Sequence, residues 1–255
     1  ANLTHDSFDR DRELVLERAR AAGVDHMIVT GASEAGSQQA IKLAESHPEM
    51  LSATTGVHPH HAKDYTPDTD ALLRELAGHD AVVAVGECGL DYFRNFSPAA
   101  AQQYAFSAQL DIAIAIGKPV FLHQRDAHAD FLEVLEPRLG EIPGGVAHCF
   151  TGTAAEMDTY LQLGLYIGIP GGISDERRGA ALREADKSLP LDRLMLETDA
   201  PYLVPRDLPE KLPGRRNEPS TLPHILHAVA RHMDKDASEI AAAARRNTQQ
   251  LFRLA

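Results

Sequence analysis

The 255-residue chain has only two cysteines, Cys88 and Cys149. Two in a chain of this size do not make a disulfide framework, so we read them as reduced thiols of a cytoplasmic protein. Long hydrophobic runs are also missing. A membrane span needs roughly 18 apolar residues, and the longest candidate, Leu110 to Leu122, is broken by Asp111, Lys118 and Pro119. No secretory leader pattern is visible, and there is no internal repeat, low-complexity tract or linker. Positive charge is in deficit: 25 Lys and Arg stand against 37 Asp and Glu, a formal net charge of −12. That balance argues against a general affinity for nucleic acid or anionic membrane. A Gly-rich phosphate loop at a first strand is absent too, which disfavours an open doubly wound nucleotide-binding sheet.

What is present is alternation. Short apolar runs lie at His26 to Gly31, Ser52 to Val57, Ala81 to Gly86, Pro119 to His123, Gly145 to His148, Gly164 to Gly168 and Arg193 to Glu197. Several lack polar alternation, as do strands of a parallel sheet covered on both faces. Helical patterns fall between them, at Arg12 to Ala22, Glu34 to Ser46, Thr69 to Ala77, Ala99 to Ile116, Ala127 to Leu135 and Ala155 to Leu163. Ser97-Pro98 reads as an N-cap followed by proline in the first turn. Thr221 opens a further helix to about His232, and Ser238 caps a last one ending near Leu251. The first helix precedes the first clear run, so a strand is expected before Arg12, ending near Asn2, its greater part preceding Ala1. The pattern predicts an α/β fold, a single (β/α)8 TIM-type barrel spanning residues 1–255.

The reactive side chains cluster at the ends of these runs. One closes on Gly56-Val57-His58-Pro59-His60, the next on Gly86-Glu87-Cys88-Gly89-Leu90-Asp91. Then come His123 before Gln124-Arg125-Asp126, His148 before Cys149, and Glu197-Thr198-Asp199. In a parallel barrel these ends share one face, where such enzymes keep their chemistry. A lone buried histidine is more often a satisfied core residue than a ligand, but strand-end placement reverses that reading for His123 and His148. Glu87, His123, His148 and Asp199 form a mixed nitrogen and oxygen set that suits a divalent metal such as zinc, manganese or magnesium. Gly86 and Gly89 beside Glu87 imply close backbone approach. Cys88 and Cys149 are expected to face the barrel wall as small apolar residues. His58, His60 and His61 are candidates to face substrate. His5, His26, His47, His79, His128, His224, His227 and His232 are left unassigned.

Arg125, Arg177, Arg178, Arg206, Arg215 and Arg216 follow strand ends or sit in late loops, so an acidic protein could carry a locally basic, phosphate-binding mouth. Asp175 to Arg178 reads equally well as a solvated helix start.

Taken together, Gly56 to His60, Gly86 to Asp91, Pro119 to Ala127, His148 to Gly152, Glu197 to Tyr202 and Arg216-Asn217-Glu218-Pro219 closely resemble the TatD family of metal-dependent deoxyribonucleases. The match runs from Asn2 to about Phe252. Asn2 to Thr4 and Arg94-Asn95-Phe96 are most similar to the family's namesake branch. The resemblance implies an amidohydrolase-like barrel and hydrolysis of DNA phosphodiesters. For that branch it implies a magnesium-dependent 3′→5′ exonuclease favouring single strands, with a role in DNA repair or DNA degradation. It makes Glu87, His123, His148 and Asp199 metal ligands, with Glu87 and Asp199 catalytic. Asp199 would orient or deprotonate the attacking water, His58 and His60 lie by the phosphate, and Arg125 and Asn217 lie near the nucleotide; Arg216, in the late loop, is read beside them as a substrate-binding residue that holds phosphate. The chain departs from many members in lacking a His-x-His pair at its first strand. Asn2 stands where the second His would be, and His5 is three residues late. One firm metal, Mg2+ before Mn2+ or Zn2+, and a weaker second one follow from that. The competing enzymatic reading is metal-dependent ester or amide hydrolysis, for example aminoacyl-tRNA deacylation. A monomer is the default, since no coiled-coil pattern is present.

Overall fold

The computed structural model describes residues 1–175, 179–210 and 212–254. Arg177 and Arg178 lie outside the described residues. The apolar runs form seven parallel strands: β1 (Met27–Val29), β2 (Leu51–Thr55), β3 (Val82–Asp91), β4 (Val120–Arg125), β5 (Gly145–Ala147), β6 (Tyr166–Ile169) and β7 (Leu194–Leu196). They pair in chain order, each with the next. Every residue of β2, β5 and β6 is buried, which is why those segments lack polar alternation. The helices are α1 (Arg12–Ala21), α2 (Glu34–Ser46), α3 (Pro67–Ala77), α4 (Ala99–Ile116), α5 (His128–Leu139), α6 (Ala154–Gln162), α7 (Ala180–Asp186), α8 (Leu222–Met233) and α9 (Ala237–Phe252). The largest apolar cluster lies between the strands and the middle helices, with Phe106, Leu110, Leu122, Phe131 and Tyr160 fully buried. Side chains of this kind each contribute about 1.5–3 kcal/mol by leaving water.

The sheet curls until its first and last strands share the opening residues. The Ala1 amine donates to the Ile28 carbonyl at 3.2 Å. The Thr30 N–H donates to the Ala1 carbonyl, and the Asn2 N–H to the Ala200 carbonyl. Ala1 and Asn2 therefore bridge β1 to the segment after β7, where the strand ending near Asn2 was expected.

β3 runs further than its apolar run, through Glu87 to Asp91. Its register on β4 shifts between Val85 and Cys88. Gly86 and Gly89 have φ of +132° and +142°, and a Cβ on either would collide with the carbonyl of Phe121 or His123. The close approach foreseen at these glycines is that of the neighbouring strand.

Helix starts follow local chemistry, with two corrections. Ser33 caps α2, and Thr66 and Thr153 form capping boxes on α3 and α6. Ser97 does not cap α4. Its buried hydroxyl donates to the His60 carbonyl and accepts from the Lys63 N–H, both at 3.0 Å, a cross-loop pairing that outcompetes the local one. On α9 the cap is Asp236, whose carboxylate accepts the Ser238 N–H at 2.7 Å. The short α7 carries no clear sequence signal.

The loop after β7 is strapped to α1 by charge. Arg216 makes a two-pronged contact with Asp11 at 2.7 Å, bonds Glu218 at 2.8 Å and lies over the Phe8 ring at 4.5 Å. Arg18 holds the same Glu218 at 2.8 and 2.9 Å. The bond from Arg216 is the main reason the Asp11 carboxyl is held down at about 2. A depressed carboxylate stabilises the fold above its unfolded value, and the contribution is lost as pH falls through the folded value. Arg216→Ala should cost about 1–3 kcal/mol in urea unfolding at neutral pH. Between pH about 4 and about 2 the wild type should lose stability more steeply than the variant; parallel curves would remove the strap from the account.

Candidate metal centre

Along β3 the side chains alternate, so Cys88 and Leu90 enter the helix-side core while Glu87 and Asp91 take the other face. There one carboxylate oxygen, Glu87 Oε1, meets three imidazoles. His148 Nε2 is 2.8 Å away, His123 Nδ1 3.0 Å and His58 Nε2 3.3 Å. These histidines arrive from the end of β5, from β4 and from the turn after β2. Glu87, His58 and His123 offer ligand atoms all within 4.8 Å of one another. His60 lies alongside, its ring 4.2 Å from that of His58, and its Nε2 bonds Asp91 Oδ2 at 2.8 Å. His61 is exposed.

Two carboxylates that the sequence reading did not assign belong to the cluster. Asp91, 1% exposed, accepts from His60, and its Oδ2 stands 3.5 Å from His123 Nε2. Glu197 Oε2 lies 3.4 Å from His148 Nδ1, and its other oxygen accepts the Cys149 N–H. A Cβ on Gly168 would come within 2.8 Å of that Glu197 carboxylate. This explains why β6 brings no reactive side chain here: its glycine is the space the carboxylate fills. Strand alternation was the available signal, since Asp91 follows Glu87 by four residues and Glu197 precedes Asp199 by two.

Asp199 sits at φ +52° just beyond β7, with its Oδ2 3.9 Å from Cys149 Sγ. Cys149 therefore faces the cluster rather than the barrel wall, because a left-handed turn at φ +48° aims its N–H at Glu197. Cys88 takes the wall position as expected.

The other expected site residues divide. Arg125, at the end of β4, stacks over the Phe93 ring at 3.8 Å. Arg216 faces Asp11 and Glu218, as described above, and Arg206 pairs with Asp175 at 2.8 Å. Asn217 is fully buried. Its amide donates to the carbonyls of Thr198 and Tyr202 at 2.8 and 2.7 Å, and its oxygen accepts from the Glu218 N–H and the Thr221 hydroxyl. It fixes the backbone on both sides of Asp199, and every one of these bonds is internal.

The electrostatics follow from this crowding. Burial would raise the Glu87 carboxyl, but His148, His58 and the bonds from His123 and His148 outweigh it and hold it well below the usual range. Burial likewise opposes charge on His148, yet Glu87 and Glu197 keep it well above its ordinary value. His123 is raised by Asp91 and Glu87 against the same burial. His58 goes the other way, pushed down to about 4 by burial that Glu87 only partly offsets. Burial pushes Asp199 up to about 6; His148 opposes the shift, while Glu87 and Glu197 add to it.

The residues fit a divalent cation. His123 Nε2 is buried without a hydrogen-bond partner, although buried polar atoms are nearly always satisfied. The carboxylates are met here by imidazoles and by backbone N–H groups, and a cation could take the place of the imidazole protons. The donors are imidazole nitrogens and carboxylate oxygens, the mixture of hydrolytic metal sites.

A curled parallel sheet with such a cluster toward the C-terminal ends of its strands defines the class of barrel-fold, metal-dependent hydrolases. The comparisons narrow it further. The chain matches the family model described as TatD related DNase over residues 1–253, and it belongs to that family. It is 51% identical over 253 residues to the 3′-5′ ssDNA/RNA exonuclease TatD of Erwinia tasmaniensis, covering 99% of this chain and 98% of that one. With the protein of the same name from Edwardsiella piscicida it shares 53% over 254 residues, covering 100% and 98%. Among solved structures, the TatD homologue YjjV of Escherichia coli superposes with a TM-score of 0.91 at 30% identity, covering 100% of this chain and 96% of that one. An uncharacterized amidohydrolase of Saccharomyces cerevisiae gives 0.87 at 25%, covering 98% of each.

Asn217→Ala strips partners from several buried groups around Asp199. We expect a loss of roughly 2–5 kcal/mol in urea unfolding, together with a lower kcat. Wild-type stability in that variant would mean that the loop is held by other contacts.

Proposed function

We propose that this protein is a metal-dependent exonuclease that hydrolyses phosphodiester bonds of single-stranded DNA from the 3′ end, serving DNA repair or DNA degradation as a cytoplasmic monomer. The observation that carries the reading is the convergence of His58, His123 and His148 on Glu87. It occurs in a chain about half identical, over nearly its full length, to relatives named for that activity. Their names include RNA, and RNA fits this reading as a second substrate. Ester or amide hydrolysis has no comparable support.

Glu87, His123, His148 and Asp199 would hold the ion. We favour Mg2+, because Asp91 and Glu197 add the oxygen donors that a hard cation prefers. When bound, such an ion polarises a phosphoryl oxygen and acidifies water. The chain's own groups supply the rest. Asp199, in the left-handed turn just beyond β7, is placed to take the proton of the attacking water on Oδ2. His58, pushed down to about 4 by burial, is neutral; its Nδ1 accepts the His60 N–H and its Nε2 faces Glu87, so it positions that carboxylate beside the phosphate. His60 is oriented by its bond to Asp91, and Arg125 brings a guanidinium to the rim. Arg216 and Asn217 act through the loop they fasten, positioning Asp199.

The test is digestion of single-stranded DNA labelled at either end. Mononucleotides should leave from the 3′ end with Mg2+, and chelation should stop the reaction. Glu87→Ala should lower the rate by at least about a hundredfold, the scale of removing a main electrostatic contributor, while the protein stays folded. Near wild-type turnover in that variant, or release from the 5′ end, contradicts the reading.

A further inference from the structure

Large apolar side chains rarely lie open to water without a partner to meet. Two of the most exposed in this chain, Phe93 at 53% and Phe96 at 58%, lie in one short loop between β3 and α4. The loop backbone is firmly tied. The Arg94 N–H donates to Asp91 Oδ1 at 2.8 Å, and the Tyr92 N–H to the Arg125 carbonyl at 2.9 Å. The Tyr92 hydroxyl donates to Asp130 at 2.8 Å, and the Gln102 amide to the carbonyl of Ser97 at 2.8 Å. A fixed loop that presents two open rings is pre-organised to bind something flat, with little ordering cost.

Each ring is also tied to the site. Phe96 meets the His60 ring edge-on at 4.8 Å, and His60 bonds Asp91, which faces His123. Phe93 carries the Arg125 guanidinium at 3.8 Å, with Arg94 at 5.6 Å. Asp91 and Arg125 are register partners across β3 and β4, so sheet pairing sets the rings at the rim of the metal cluster. Rings interleaved with guanidinium groups form the surface on which unpaired bases stack while the backbone phosphates meet positive charge. The protein carries a net charge of −12, which cannot supply general attraction for a polyanion. Local stacking can supply affinity that net charge does not.

We infer that Phe93 with Arg125, and Phe96 beside His60, form a stacking subsite for the bases of a single strand next to the bond being cut. The inference rests on the nuclease reading and goes beyond it, since it makes unstacked bases, and not only the phosphate, the feature recognised. A duplex keeps its base faces covered and offers none to these rings. The subsite should tolerate any base, because every base has a π-face.

The experiment compares two 3′-labelled oligonucleotides of equal length, one ordinary and one whose 3′-terminal nucleotides lack bases. The wild type should favour the ordinary strand by about 10- to 100-fold in kcat/KM, as expected for the loss of one or more stacked bases. In the Phe93→Ala/Phe96→Ala variant that ratio should fall toward one, mainly through a higher KM on the ordinary strand. Phe93→Trp should retain it. A ratio equal in wild type and double variant overturns the inference, including the case in which the substitutions damage both reactions alike. Cleavage of neither strand by the wild type instead overturns the nuclease reading, and the stacking subsite with it.

Discussion

One carboxylate oxygen on β3 is shared by imidazoles from three other segments, and that arrangement sets terms for everything around it. A buried negative charge with no compensation is very costly. Glu87 is tolerable because His58, His123 and His148 lie 2.8–3.3 Å from Oε1. Meeting that requirement fixes the backbone nearby. Gly86 and Gly89 let β4 approach closely enough to deliver His123, and Gly168 leaves room for the Glu197 carboxylate behind His148. The pull extends outward, since Asp91 orients His60 and Asn217 fixes the turn carrying Asp199. The result is a cluster in which protons and a metal cation are alternative answers to the same excess of negative charge.

The same charge logic reconciles an acidic protein with a polyanionic substrate. Several arginines are committed to carboxylates of the same chain: Arg216 to Asp11 and Glu218, Arg18 to Glu218, and Arg206 to Asp175. Those pairs build the loop after β7 rather than a phosphate track. On the reading proposed above, the metal centre, Arg125 and ring stacking supply affinity, and they act at short range. Salt should weaken such binding less than it weakens binding along a continuous basic groove.

Much of the fold was legible because its strands lack alternation and its helices carry ordinary start and stop signals. The strand-end residues Glu87, His123 and His148 were legible because polar groups at the ends of apolar runs are hard to explain otherwise. Asp91 and Glu197 were missed although alternation along one strand places them with Glu87 and Asp199. Their motifs were noticed, but each was credited with fewer roles than it holds. Arg216 and Asn217 lie in a motif that resembles nucleotide-contacting residues, yet a linear sequence does not reveal that Asp11 comes back to meet Arg216. Nor does it reveal that Asn217 is enclosed among carbonyls. Ser97 had a cap's spacing, but a loop distant in sequence offered its hydroxyl a better partner. The misses at Arg216, Asn217 and Ser97 are pairings distant in sequence that override a local preference.

Whether the Glu87 cluster holds a divalent cation is tested by diffraction from crystals soaked in Mn2+, collected to locate the ion by its anomalous signal. A peak is expected among Glu87, His123, His148 and Asp199, with Asp91 or Glu197 bordering any second, weaker peak. A peak elsewhere on the molecule, or none at this cluster in protein that cleaves DNA under the same conditions, would contradict that expectation.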